Sequence, residues 1–139
     1  MGDPGRTPLF AVLHAANALE SRVEQRLADV GLSLPKLAAL HQLSQAGDSL
    51  PLGHLADRLA CVKSNVTQLV DRLEADGLVV RAADPNDRRS RLAVITESGK
   101  TAYARGTQIQ QQAEREIFGA LSTEESSALH ALLAKIAKQ

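Results

Sequence analysis

From Leu9 to Val30 the apolar residues fall at positions 9, 12, 13, 16, 19, 23, 27 and 30. Steps of three and four put them on one helical face, and Gly31 supplies a stop signal. Ser33, two residues before Pro35, starts a second helix that carries Leu37, Leu40, Leu43 and Ala46 and ends at Gly47. A short extended piece, Ser49 to Leu52, leads into a third helix with Leu55, Ala56 and Leu59. The spacing predicts a fourth helix from about Lys63 to Asp76, with Val66, Leu69, Val70 and Leu73 inward and Gly77 after it.

The period then shortens. Leu78-Val79-Val80 and Leu92-Ala93-Val94-Ile95 are β-prone, and between them Asp84-Pro85-Asn86-Asp87 is turn chemistry. Together they predict a hairpin with a charged tip. Two further helices follow, at about 98–119 and 123–138, the second opened by a Ser122/Glu125 capping box. Along the fifth helix Ala102, Gly106, Ile109, Ala113 and Ile117 form a stripe rich in small residues, and the last helix offers Leu129, Leu132, Leu133 and Ile136. Small residues let helices approach closely, so this stripe is expected to serve an intermolecular bundle. The first eight residues, with Gly2, Pro4, Gly5 and Pro8, read as a flexible tail.

The element order is helix, helix, short strand, helix, helix, hairpin, helix, helix. This predicts a mainly α fold with a small β-hairpin wing, and its middle portion is the winged helix-turn-helix pattern. In that geometry the second helix of the pair enters the major groove of DNA and the hairpin lies alongside it.

Composition removes several other readings. The 139 residues carry 16 Lys plus Arg against 16 Asp plus Glu, which excludes a chain-wide cationic wrapper but permits a local basic patch. Phe10, Tyr103 and Phe118 are the only aromatic residues, too few for a single-strand stacking platform. The single Cys61 excludes an internal disulfide framework, so a reducing, cytoplasmic setting is expected. The uncharged run Thr7–Leu19 is interrupted by His14 and Asn17 and falls short of a membrane span, so no membrane partner is expected. It resembles a signal peptide only superficially, because Asp3 and Arg6 cancel and the helical spacing runs on past any cleavage point. No glycine-rich phosphate loop, Cys–His pair or His-Glu metal motif is present, so no catalytic residue, metal or cofactor is expected.

Three segments together resemble the MarR family of bacterial transcriptional regulators. They are Leu55-Ala56-Asp57-Arg58-Leu59, the run from Lys63 to Val79, and Arg81 with Asp84-Pro85-Asn86-Asp87-Arg88-Arg89-Ser90 followed by Ile95-Thr96-Glu97-Ser98-Gly99. The resemblance implies a single domain over 1–139. Residues 9–32 and 98–139 would be dimerisation helices, and 33–97 the DNA-binding portion. It further implies a homodimeric repressor on a pseudo-palindromic double-stranded operator, released by a small, often phenolic or aromatic effector. One departure concerns the cap: Val62 stands before Lys63 where the family usually has Ser or Asp, which leaves the recognition helix open to fraying until bound.

Candidate DNA contacts follow from residue chemistry. Lys63 can neutralise a phosphate, Ser64 shares its polar helix start, Asn65 and Gln68 can read adenine edges, and Thr67 suits a thymine methyl or a phosphate. Arg72 fits either a phosphate contact or an ion pair with a neighbouring carboxylate. In the hairpin, Arg88, Arg89 and Arg91 suit a narrow, electronegative minor groove. The resemblance implies that Arg89 reaches that groove and that Asp87 orients it, and Asp87 is placed to hold the Arg89 guanidinium. The bland reading of the hairpin is a solvated tip with an internal ion pair of little energetic weight.

Other residues carry weaker signals. His14, Asn17 and His41 are candidates to line an effector cleft between the dimerisation and DNA-binding parts, against the alternative of partly buried structural polar groups. His54 and His130 lie on other helices, and no two histidines make an i, i+4 metal pair. Cys61 invites a redox-sensor reading, but it occupies an apolar packing position. The family's peroxide sensors carry their cysteine in the first helix, where this chain has none. A winged-helix protein-interaction module without DNA binding, and an enzyme using a cleft histidine, complete the alternatives. Against the interaction module, the 59–70 stretch has Lys63 and no acid, and 81–91 has a basic excess of two. Net neutrality is therefore expected to divide into a basic DNA-facing edge and an acidic remainder.

Overall fold

The computed structural model describes residues 7–59 and 65–137. In chain order these form α1 (Pro8–Ala28), α2 (Leu34–Gln45), β1 (Ser49–Pro51), α3 (Leu52–Arg58), α4 (Val66–Ala75), β2 (Val79–Ala83), β3 (Arg91–Ile95), α5 (Glu97–Phe118) and α6 (Thr123–Ala137). The mainly α, winged class is the one the periodicity predicts. The extended piece before α3 is a true third strand: the antiparallel sheet runs β1-β3-β2, with Leu50 opposite Ala93 and Val80 opposite Val94. No helix among the described residues is long and apolar enough to cross a membrane.

One core joins the pieces. Leu27 from α1, Leu40 and Leu43 from α2, Leu55 from α3, Val70 and Leu73 from α4 and Val79 from β2 are fully buried. Each such side chain contributes about 1.5–3 kcal/mol on leaving water. Val70, Leu73 and Leu69 are the inward stripe of α4, so burying them turns Thr67, Gln68, Asp71 and Arg72 outward.

Side-chain caps set the helix starts. Ser33 Oγ accepts from the Lys36 amide at 3.3 Å to open α2. Ser122 and Glu125 exchange bonds of 3.1 and 2.9 Å at the start of α6, the reciprocal box expected there. At the end of α4, Gly77 takes φ +75°, and the Leu78 amide reaches back to the Leu73 carbonyl at 2.9 Å. A left-handed residue closing a six-to-one bond is the helix stop that glycine permits at least cost. It aims the chain directly into β2.

Thr96 ties this turn to the next helix. Its hydroxyl donates to the Gly77 carbonyl at 2.7 Å and accepts from the Gly99 amide at 3.0 Å, capping α5. A Cβ built on Gly99 would lie 2.1 Å from the Leu78 carbonyl oxygen. The Thr-x-x-Gly step thus exists because two backbone segments touch there.

The small-residue stripe of α5 has a different partner from the one expected. Gly106 and Ala113 are buried within the chain itself, and Gly106 abuts Leu32 and Leu37. Periodicity specifies that a face is apolar, not which surface covers it. The apolar surface left uncovered lies elsewhere. Leu9, Phe10 and Leu13 on the first half of α1 are exposed, as are Leu132, Leu133 and Ile136 on α6, a helix with no buried residue.

Candidate nucleic-acid interface

The recognition-helix candidates divide at Asn65. Lys63 and Ser64, with Cys61 and Val62, lie outside the described residues, as does the helix start expected at Lys63. The described helix begins at Val66, and the residue that caps it is Asn65. Asn65 is extended (φ −82°, ψ 113°), and its Oδ1 accepts from the Gln68 amide at 3.3 Å. Asparagine is among the best residues for this task. Bidentate recognition of adenine needs both the oxygen and the nitrogen of a carboxamide, so the cap competes with the base-reading role expected of Asn65. Thr67 and Gln68 are exposed on the first turn and carry no such duty.

The acids of α4 are each engaged. Arg81 on β2 donates to Asp71 and to Glu74, both at 2.7 Å, and its amide donates to Glu74 at 3.2 Å. The hydrogen bond that Arg81 donates to Asp71 is the main influence raising the Arg81 pKa above its ordinary value. Asp76 is paired with Lys36 of α2 at 2.8 Å. Arg72, ambiguous by sequence, makes no ion pair among the described residues and lies beside Asn65 and Gln68 in a shallow recess completed by Ser33 and Lys36. The outward N-terminal part of α4 therefore presents amide, hydroxyl and guanidinium groups, while its carboxylates face cations of the same chain.

The same ion pairs alter the charge count of the hairpin. Arg81 is held by two carboxylates and does not belong to the basic edge, which consists of Arg88, Arg89 and Arg91, all exposed. Two aspartates shape the tip above them. Asp84 Oδ1 accepts from the Asn86 amide at 2.9 Å, and Asp87 Oδ1 accepts from the Arg89 amide at 2.9 Å. Asp87 thus orients Arg89 through its backbone. The guanidinium contact expected from sequence is not formed, and Arg89 is without an ion pair among the described residues. Short polar side chains bond readily to the backbone two residues on, and that local geometry wins over reaching a mobile side-chain end.

A second feature lies on the opposite side of α2. A cavity of about 620 Å³ opens between α1, α2 and α5, with Leu19, Val23, Leu37, Ile117 and Phe118 among its apolar walls. His41 lines it, but His14 and Asn17 do not: both sit on the exposed first half of α1. The imidazole Nδ1 of His41 lies 2.7 Å from the Tyr103 hydroxyl, the two rings tilted with centroids 5.8 Å apart. Tyr103, Glu20 and Glu114 also line the cavity and were not picked out from the sequence as site residues. A signal was present in Tyr103, Thr107, Gln110, Glu114 and Phe118, which recur at steps of three and four along α5 as a second, more polar stripe. Among the described residues no group of three or more His, Cys, Asp or Glu is placed to hold a metal.

A helix-turn-helix whose exposed second helix stands beside a cationic hairpin defines a winged-helix DNA-binding regulator. The MarR-family profile matches residues 30–90. The HTH-type regulator YkoM of Bacillus subtilis is 32% identical over 123 residues, spanning 86% of this chain and 79% of that protein. MhqR of the same organism is 35% identical over 92 residues, spanning 66% of this chain and 63% of MhqR, so the match takes in less than two-thirds of that relative's length. A solved structure of Bordetella bronchiseptica BpsR, which concerns regulation of its DNA binding by 6-hydroxynicotinic acid, superposes with a TM-score of 0.88 at 22% identity over 100% of this chain and 99% of that one. The chain belongs to the MarR family of transcriptional regulators, whose members are regulators and not enzymes.

Proposed function

We propose that this chain works as a homodimeric, sequence-specific DNA-binding repressor in the cytoplasm, released from its operator by a small aromatic effector. The observation that carries the reading is the division of charge around α4. Asp71, Glu74 and Asp76 are paired inside the chain, whereas Arg72, Arg88, Arg89 and Arg91, on the side of the helix start and wing, make no ion pair among the described residues. DNA affinity rests on unpaired cations, and here the three acids at the C-terminal end of α4 each face a cation of the same chain.

The exposed apolar residues of α1 and α6 support dimerisation. Leu9, Phe10, Leu13, Leu132, Leu133 and Ile136 are a surface that a second copy would remove from water. In such a dimer the two α4 helices would enter successive major grooves about 34–36 Å apart, with Thr67 and Gln68 at base edges and Arg72 on phosphate. Lys63 and Ser64 would extend the same edge, and the Arg89 side chains would enter the flanking minor grooves. The His41–Tyr103 pair in an apolar cleft supports an aromatic effector, since it offers hydrogen-bonding groups beside ring-sized hydrophobic walls.

Selection of bound duplexes from a random pool, followed by footprinting, tests the reading. The expected winner is a pseudo-palindrome with half-sites about 10 base pairs apart. Failure to enrich any duplex would instead favour a protein-interaction role for the winged helix.

A further inference from the structure

The walls of the α1–α2–α5 cavity carry two carboxylates, Glu20 and Glu114, and neither Lys nor Arg. Glu114 accepts from Gln110 Nε2 at 3.1 Å, and neither acid has an ion-pair partner among the described residues. Arg26 pairs with Glu116 and Lys36 with Asp76, and Arg22 and Arg115, which flank this region on α1 and α5, do not line the cavity. A second copy covering the cleft with its exposed α1 would not reverse the sign. Residues 8–18 contain no Lys or Arg and, of titratable groups, only His14.

Resting on the effector-cleft reading above, we infer that this cleft selects a ring compound bearing a protonated nitrogen and rejects carboxylate anions. A ligand carboxylate placed here would lose its hydration against Leu19, Val23, Leu37 and Ile117 and would meet two like charges. An ammonium of the same shape gains a charge-assisted hydrogen bond to a glutamate. The rings of Tyr103 and Phe118 add π faces that attract a cation. The His41–Tyr103 hydrogen bond engages the cleft's one imidazole at Nδ1.

The test is titration calorimetry of the full chain with three ligands of matched shape: 2-naphthylmethylamine, 2-naphthylmethanol and 2-naphthoate. The amine is expected to bind at least about tenfold more tightly than the naphthoate, with the alcohol between them. In the Glu20→Gln/Glu114→Gln double variant the gap should close to within about threefold. Because both positions are exposed glutamates, a melting midpoint matching the parent's will verify folding, and Glu20→Gln alone serves should the double variant fail. Equal or tighter binding of the naphthoate, or a gap that survives the variants, overturns charge selection. If the three bind equally yet displace operator DNA, the effector-cleft reading stands and only the selectivity falls. If none binds at millimolar concentration, both fall, while operator binding by the ligand-free protein remains a separate measurement.

Discussion

Arg81 on β2 and Asp71 on α4 are joined by a 2.7 Å hydrogen bond from Nη2 to Oδ1, with Glu74 closing the other side of the guanidinium. The strand that leads into the wing is thereby locked to the solvent face of the recognition helix. Both elements also meet through Gly77, so the covalent turn and the ion cluster fix one angle between helix and hairpin.

Replacing Arg81 by Met should therefore loosen that angle more than it lowers stability. The pairs lie at the surface, with side-chain exposures of 19% for Arg81 and 59% for Asp71, and the expected loss is about 0.5–1 kcal/mol. Operator affinity should fall several-fold while the slope of log affinity against log salt stays unchanged, because a neutralised arginine releases no counterion. A reduced slope would show that Arg81 contacts phosphate directly.

Arg89 and Asp87 should separate in the same measurement. Arg89→Ala removes a free cation from each protomer and is expected to weaken binding and to lower the salt slope by about one per protomer. Asp87→Ala removes the bond that holds the Arg89 amide and one carboxylate charge, but no cation. It should weaken binding less and leave the slope intact. Identical salt slopes for the parent and Arg89→Ala would sink the assignment of the wing to DNA.

The difference between these two residues also shows what could be read without coordinates. Helix faces, glycine stops and the Ser122/Glu125 box follow from local spacing and chemistry, and the helices appear in the order expected. Partners across the fold do not follow from spacing. The α5 stripe was legible as a packing face, but its cover, Leu32 and Leu37, is distant in sequence. The pairing of Arg81 with Asp71 and Glu74 depends on how β2 leaves Gly77, so the hairpin's basic excess looked larger than its free charge. Tyr103 could be counted as a ring but acquired meaning only when α2 set His41 beside it.

Gly99→Ala should be the most damaging single methyl in the chain's middle. The added carbon would lie 2.1 Å from the Leu78 carbonyl oxygen and 2.7 Å from Ile95 Cγ1, and a backbone atom cannot swing aside as a side chain can. Overpacking of this kind costs about 1–3 kcal/mol, and here the upper end or beyond is expected. Thermal melting should show a clear drop, while Gly53→Ala, where a Cβ meets nothing within 4 Å, should be nearly neutral. Similar melting points for the two variants would contradict the close approach.

Arg26 of α1 holds Glu116 of α5, and this contact carries a pH dependence of known sign. The hydrogen bond from Arg26, more than the neighbouring Arg22 and Arg115, keeps the Glu116 carboxyl below its ordinary 4.5. A depressed carboxyl stabilises the fold above its unfolded value, and that contribution disappears as pH falls through the lower folded value. Glu116→Gln should therefore be less stable than the parent at about pH 7, and the gap should be narrower at about pH 3. Denaturation midpoints at the two pH values check this. A difference that persists undiminished in acid would mean that packing, not charge, links the two helices there.

Asn65 and Gln68 share one hydrogen bond but should fail in different ways. Asn65 Oδ1 is spent on the Gln68 amide, so Asn65→Ala removes a helix cap and should cost about 0.5–2 kcal/mol of stability. Its effect on DNA should be uniform, lowering affinity for every operator variant by a similar factor. The Gln68 side chain is exposed and carries no cap, so Gln68→Ala should leave stability within about 0.5 kcal/mol of the parent. It should instead relax preference at one base pair, where the lost discrimination is about 1–3 kcal/mol for a good bidentate contact. Affinities across a set of single-base operator variants distinguish the two patterns. Relaxation at one position by Asn65→Ala, with unchanged melting, would return Asn65 to a base-reading role and show that its cap opens on DNA.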